Sequence, residues 1–211
     1  MKIIKYSSIA ILLFIVFFTG CIPFLKMESG RTLSQGKSSI GLSATSYTLS
    51  DGGSGVTIAD LQVRAKHGIT DRLELGVGFS NIGFLMFDGK YQVIGDKNSN
   101  FALSLGLGAD ALIFAFKSSR LTGVNSNLKV SFPIYMSMHP SEKFYFFLNP
   151  QISRQIVFIE DGGGFSFIGA SMGIGFYNKI GEINIGGDYF RPLASLGGSI
   201  YQFGVAYKYS F

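Results

Sequence analysis

Residues 72–79 read RLELGVGF. Leu73, Leu75, Val77 and Phe79 fall on one side of an extended chain, and Arg72, Glu74, Gly76 and Gly78 on the other. Period-two alternation of this kind defines a β-strand with two unlike faces. The composition of the second face decides what sort of sheet it builds. A water-facing side would be rich in Lys, Glu, Thr and Arg, whereas this one is mostly glycine with an occasional charge. Small residues suit the inside of a narrow barrel, which puts the apolar face outside, against lipid.

The same pattern recurs along the chain. FALSLGLGAD (101–110) sets Phe101, Leu103, Leu105, Leu107 and Ala109 against Ala102, Ser104, Gly106, Gly108 and Asp110. IGASMGIGF (168–176) sets Ile168, Ala170, Met172, Ile174 and Phe176 against Gly169, Ser171, Gly173 and Gly175. Ten such segments are expected, near 36–49, 56–67, 72–81, 84–94, 101–115, 124–138, 144–159, 165–178, 182–191 and 199–211. Strands of about 9–11 residues cross a bilayer, and open edges in lipid are too costly, so the sheet must close. The expected fold is all-β: an antiparallel, transmembrane, up-and-down barrel of about ten strands. An eight-stranded barrel, with 81–94 re-threaded as a loop, is the competing arrangement.

Composition agrees. The 211 residues are 47% hydrophobic and 15% charged, with 28 glycines and 21 phenylalanines. The usual charged share is about 25%. Glycine disfavours helix interiors and aromatics favour strands. The net charge of +5 is scattered rather than clustered, which gives no nucleic-acid footprint.

The N-terminus reads differently. Lys2 and Lys5 precede an apolar run from Ile9 to Phe18, too short to span a membrane as a helix and shaped like an export signal. The only cysteine, Cys21, follows directly in FFTGC. One cysteine excludes an intrachain disulfide and a four-thiolate metal site. FFTGC resembles a bacterial lipobox through Thr19, Gly20 and Cys21, although Phe18 departs from the usual Leu. The resemblance implies lipidation of Cys21 and an anchored N-terminus on the periplasmic side of the outer membrane. The expected organisation is a signal peptide over 1–20, a lipidated tether over 21–34 and the barrel over 35–211.

The chain ends VAYKYSF (205–211). A final Phe with aromatics two and four residues before it resembles the C-terminal signal of bacterial outer-membrane β-barrel proteins. The matching residues are Tyr207, Tyr209 and Phe211. The resemblance implies recognition by the barrel-assembly machinery and residence in outer-membrane lipid. It names no activity, since barrel scaffolds host many functions.

By alternation Arg64, Lys66, Glu74, Asp110, Lys129, Glu182, Asp188 and Lys208 point into the lumen. Charges there must pair or meet water. They build either an ion-pair network that plugs the barrel or the lining of a thin solute path. HPSE (139–142) places His139, Ser141 and Glu142 together, and some outer-membrane barrels are Ser–His lipid hydrolases. Residues crowded into one Pro-containing turn rarely meet the geometry a Ser–His pair needs. His67 and His139 lie far apart with no zinc spacing, so neither metal nor cofactor is expected. The expected role is structural, or binding of a small solute or envelope protein partner, with a narrow pore as the alternative and a hydrolase behind both.

Overall fold

The computed structural model describes residues 26–51, 54–112, 126–158, 163–193 and 199–211. Ten strands fill them: β1 (Ser38–Asp51), β2 (Ser54–Thr70), β3 (Leu73–Ser80), β4 (Phe84–Ile94), β5 (Phe101–Leu112), β6 (Ser126–Met138), β7 (Phe144–Phe158), β8 (Gly163–Tyr177), β9 (Glu182–Pro192) and β10 (Ser199–Ser210). Each pairs antiparallel with its sequence neighbours, and β1 pairs with β10 to close the barrel. The ten-stranded arrangement holds: 84–94 is strand β4, hydrogen-bonded on both sides.

Closure runs to the last residue. Ser38 N–H donates to the Phe211 carbonyl and Phe211 N–H to the Ser38 carbonyl, both at 2.9 Å. This end of the barrel, which also carries the short β2–β3, β4–β5, β6–β7 and β8–β9 turns, is called proximal below; the other is distal.

The faces are inverted relative to a water-soluble sheet. Leu42, Leu107, Met172 and Phe203 project outward, each more than half exposed on the barrel exterior. Aromatic pairs mark both rims: Phe144 with Phe146 (5.6 Å) and Tyr209 with Phe211 (5.8 Å) proximally, and Tyr189 with Tyr201 (5.1 Å) toward the distal end. Such belts suit the two interfaces of a bilayer.

The interior holds large rings as well as polar groups. Tyr47, Tyr135, Tyr145 and Phe190 are buried. Inward glycines make the room: a Cβ on Gly175 would lie 2.3 Å from the Tyr145 ring, and one on Gly106 2.6 Å from the Tyr135 ring. The glycines of the lumen face are the complement of rings from neighbouring strands.

The described part of the expected tether, residues 26–34, lies within the barrel. It descends through the lumen from Lys26, level with Asn149 and Ser171, to Leu33 beside Glu74 at the proximal end; Lys26, Met27, Ser29 and Thr32 are buried. Cys21 and the rest of residues 1–25 lie outside the described residues. The chain turns back at Gly36, whose φ of 75° favours glycine, and enters β1.

Candidate functional site

The lumen is built around this N-terminal segment. An extended strand has backbone donors and acceptors that must be satisfied when buried. Here the wall satisfies them with side chains. Lys26 N–H donates to Ser171 Oγ (3.2 Å) on β8. Asn149 Nδ2 on β7 donates to the carbonyls of Lys26 (2.6 Å) and Glu28 (3.0 Å). Lys90 Nζ on β4 donates to the Ser29 carbonyl (3.1 Å). Gly30 N–H donates to Ser137 Oγ (2.9 Å) on β6, and its carbonyl accepts from Ser104 Oγ (2.5 Å) on β5. Thr32 N–H donates to Gln92 Oε1 (3.0 Å), and Leu33 N–H to Glu74 Oε2 (2.8 Å) on β3. With Lys66 of β2, which meets the Glu28 side chain, seven of the ten strands grip the segment.

The grip centres on an ionic cluster. Glu28 Oε2 lies 2.7 Å from Lys66 Nζ and 3.5 Å from Lys90 Nζ. Lys66 also meets Glu74 (3.1 Å) and Asp88 (2.9 Å), Lys90 meets Glu74 (2.8 Å), and Arg64 meets Asp88 (3.2 Å). Three cations therefore face three carboxylates, one of them supplied by the segment. Pairing is what makes charge burial here tolerable.

Two further groups complete the lumen. Lys129 and Asp110 form a 2.7 Å pair between β6 and β5, with both side chains fully buried. On the β9–β10 side, Lys208 meets Glu182 at 2.5 Å, and Glu182 also accepts from the Tyr145 hydroxyl and from Asn184 Nδ2 (2.8 Å). Asp188 is buried on β9. All eight charges named from the sequence thus lie on the lumen side. Arg64, Lys66 and Glu74 belong to one cluster, Asp110 pairs with Lys129, and Glu182 pairs with Lys208.

Asp88 and Lys90 escaped the sequence reading, although the alternation of Met86, Asp88, Lys90 and Gln92 along β4 carries the signal. Asp60 escaped too. It accepts from the Tyr47 hydroxyl (2.7 Å), Gln62 Nε2 (2.7 Å) and Ser80 Oγ (2.5 Å). Lys26 and Glu28 carried no signal, because nothing in their spacing distinguishes a lumen segment from a linker.

The HPSE turn does not assemble as a hydrolase. His139 Nε2 contacts Ser137 Oγ (2.9 Å) and Ser29 Oγ (3.3 Å) rather than Ser141. Ser141 Oγ accepts from the Lys143 N–H instead (3.3 Å). His139 Nδ1 is buried with no carboxylate bonded to it, so no acid orients the ring as a nucleophile's base requires. Burial pushes the His139 imidazole down to about 4, and the nearby Arg31 guanidinium adds to the shift. The ring stacks on Tyr145 at 4.9 Å. It is a packing partner of the segment. Among the described residues, no three His, Cys, Asp or Glu side chains gather as a metal site.

Two spaces adjoin the segment. A cavity of about 60 Å³, lined by Lys26, Glu28, Arg64 and Lys66, lies between the segment and the β1–β2–β10 wall; it has room for water only. A vestibule of about 640 Å³ lies at the proximal mouth, lined by Arg31, Lys97, His139, Glu142, Tyr177 and Lys208 among others. At its rim Lys97 meets Asp71 (3.0 Å). That lysine and the Gln35 N–H hold the exposed Asp71 carboxyl below its ordinary value.

No protein-family model matches the sequence, and no curated protein does. Solved structures of similar shape include the COG4313 outer membrane channel from Pseudomonas putida F1, with 13% identity, 89% of this chain and 100% of that chain covered, and a TM-score of 0.47. The outer membrane protease OmpT from Escherichia coli aligns with 11% identity over 87% of this chain and 100% of that one, with a TM-score of 0.44. Ail, the attachment invasion locus protein of Yersinia pestis, aligns with 10% identity over 84% of this chain and 100% of that one, with a TM-score of 0.43.

Proposed function

We propose that this chain is a bacterial outer-membrane barrel whose lumen is closed at rest by its own N-terminal segment, and that it serves the envelope as a structural or partner-binding protein. The observation that carries this reading is the set of side chains from seven strands aimed at residues 26–33. A lumen shaped for bulk solute would leave those groups to water. The proximal end is then periplasmic. Tyr207, Tyr209 and Phe211 serve as the signal to the assembly machinery, and Cys21 carries the lipid anchor on the periplasmic side.

Planar-bilayer recording of the purified chain tests the closed lumen. The expected trace has no discrete conductance steps; regular single-channel steps would overturn the reading in favour of a narrow pore. The charged wall is the feature that favours the pore, and steps of uniform size are its signature. Labelling with radioactive palmitate tests the anchor. Label should enter the wild type and be absent from Cys21→Ser. The Cys21→Ser protein should still need detergent for extraction, because the apolar exterior of the barrel remains.

A further inference from the structure

The segment that fills the lumen is not part of the sheet. Every strand of the barrel already has two neighbours, and the ring β1–β10–β9 through to β2 closes without it. Among the described residues, no main-chain to main-chain hydrogen bond joins residues 26–33 to a strand, so the segment can leave without breaking one inter-strand ladder. What it would leave behind is a row of polar groups oriented toward a missing strand, with Lys66 and Lys90 deprived of the Glu28 carboxylate and left in contact with Glu74 and Asp88. An uncompensated charge in a narrow interior is unfavourable. The wall therefore favours an occupant with a carboxylate at the position of Glu28.

A second restriction lies two residues on. A Cβ on Gly30 would stand 2.4 Å from the Ala102 carbonyl oxygen and 2.9 Å from that of Tyr135. Both are backbone atoms of paired strands and cannot swing aside. The position accepts glycine only. Between them Ser29 donates or accepts at Ser137 Oγ (3.1 Å) and His139 Nε2 (3.3 Å).

We propose that the lumen wall is a binding site for an extended peptide carrying a Glu-x-Gly core, that residues 26–33 are its built-in occupant, and that this occupant can be exchanged for a peptide supplied in trans. Main-chain hydrogen bonds hold the peptide, the Arg64–Lys66–Lys90 cluster reads its carboxylate, and the β5 backbone at Ala102 reads its glycine. This goes beyond the resting role proposed above, because a silent lumen is compatible with a fixed or an exchangeable segment.

The test uses the full chain in detergent micelles and a fluorescent peptide of sequence KMESGRTL. Two variants unseat the built-in segment by unrelated means: Glu28→Lys by charge and Gly30→Leu by clash. Trypsin reports vacancy, since Lys26 is buried and Arg31 half-buried when the segment is in place. The expected result is rapid cleavage after these residues in both variants, with the barrel still heat-modifiable on gels. Both variants should then bind the peptide saturably, and the wild type at least tenfold more weakly. Peptides with Glu→Lys or Gly→Leu should bind at least tenfold more weakly than the parent. Protection of the segment in both variants overturns the proposal, as does a vacated barrel that ignores the peptide or takes all three peptides alike.

Discussion

Glu28 Oε2 lies 2.7 Å from Lys66 Nζ, joining a segment outside the sheet to a strand within it. The carboxylate is the third of a cluster whose three cations all come from the wall. The barrel therefore pairs part of its lumen charge with a piece of chain that precedes it.

The Lys129–Asp110 pair spans β6 and β5 with both side chains fully buried. Lys129→Met strands the Asp110 charge, at a cost of about 3–5 kcal/mol. Asp110→Leu combined with Lys129→Met should recover part of that loss, since the pair is removed together. Urea unfolding in lipid vesicles measures both. A double variant no more stable than the single one would mean that the pair does more than compensate itself.

Leu107 lies on the outward face of β5, with its side chain more than half exposed. Near the middle of a membrane-crossing strand, Leu107→Arg should cost about 2–4 kcal/mol. Leu107→Ala loses lipid contact without adding a charge and should cost less. Vesicle refolding equilibria rank the three proteins. Near-equal stability of wild type and Leu107→Arg would contradict a lipid-facing exterior.

His139 sits under Ser29 in the proximal mouth, with Arg31, Glu182, Tyr145 and Tyr177 around it. Its value of about 4 lies below the ordinary 6.5, so the folded state favours the neutral ring. Its contribution is full above pH about 6.5 and is lost as the pH falls toward 4. Asp71, also held low, acts in the same direction but in a lower window, below the ordinary carboxylate value. Protection of the segment from protease, followed from pH 7 down to about pH 2 with an acid-tolerant enzyme, should weaken across the His139 window. His139→Gln should remove the step in that window and leave the one belonging to Asp71.

Phe211 is held by two backbone hydrogen bonds to Ser38 that do not involve its ring. The ring lies outside, stacked on Tyr209. Phe211→Ala should therefore change the stability of the refolded barrel by only about 1–2 kcal/mol, the scale of a partly exposed apolar side chain. If the terminal aromatics serve as an assembly signal, the amount of barrel reaching the membrane in cells should fall several-fold. An equal loss in both measurements would assign the ring to stability alone.

Strand number, strand limits and the direction of each face could be read from RLELGVGF and its repeats, because alternation in a strand is local. A one-residue shift would exchange lipid and lumen faces for every side chain of the strand. The inward direction of Lys66, Glu74 and Lys129 came with it. Their partners did not. Lys66 meets Asp88 of β4 and Glu28 of the segment, and no spacing along the chain encodes a contact made across the lumen. His139 shows the same limit in reverse: its sequence neighbours Ser141 and Glu142 suggested chemistry, while in space it meets Ser137 and Ser29.

The sequence by itself determined a closed barrel with an apolar outside, since hydrophobicity at period two leaves an up-and-down sheet no other way to satisfy its backbone in lipid. Only the tertiary structure decided what occupies the inside. Residues 26–34 are too polar and too irregular to announce a lumen strand, and their place becomes legible only when side chains from seven strands converge on one line. Convergence of that kind is a property of the closed ring, where residues distant in sequence share a few ångströms of interior.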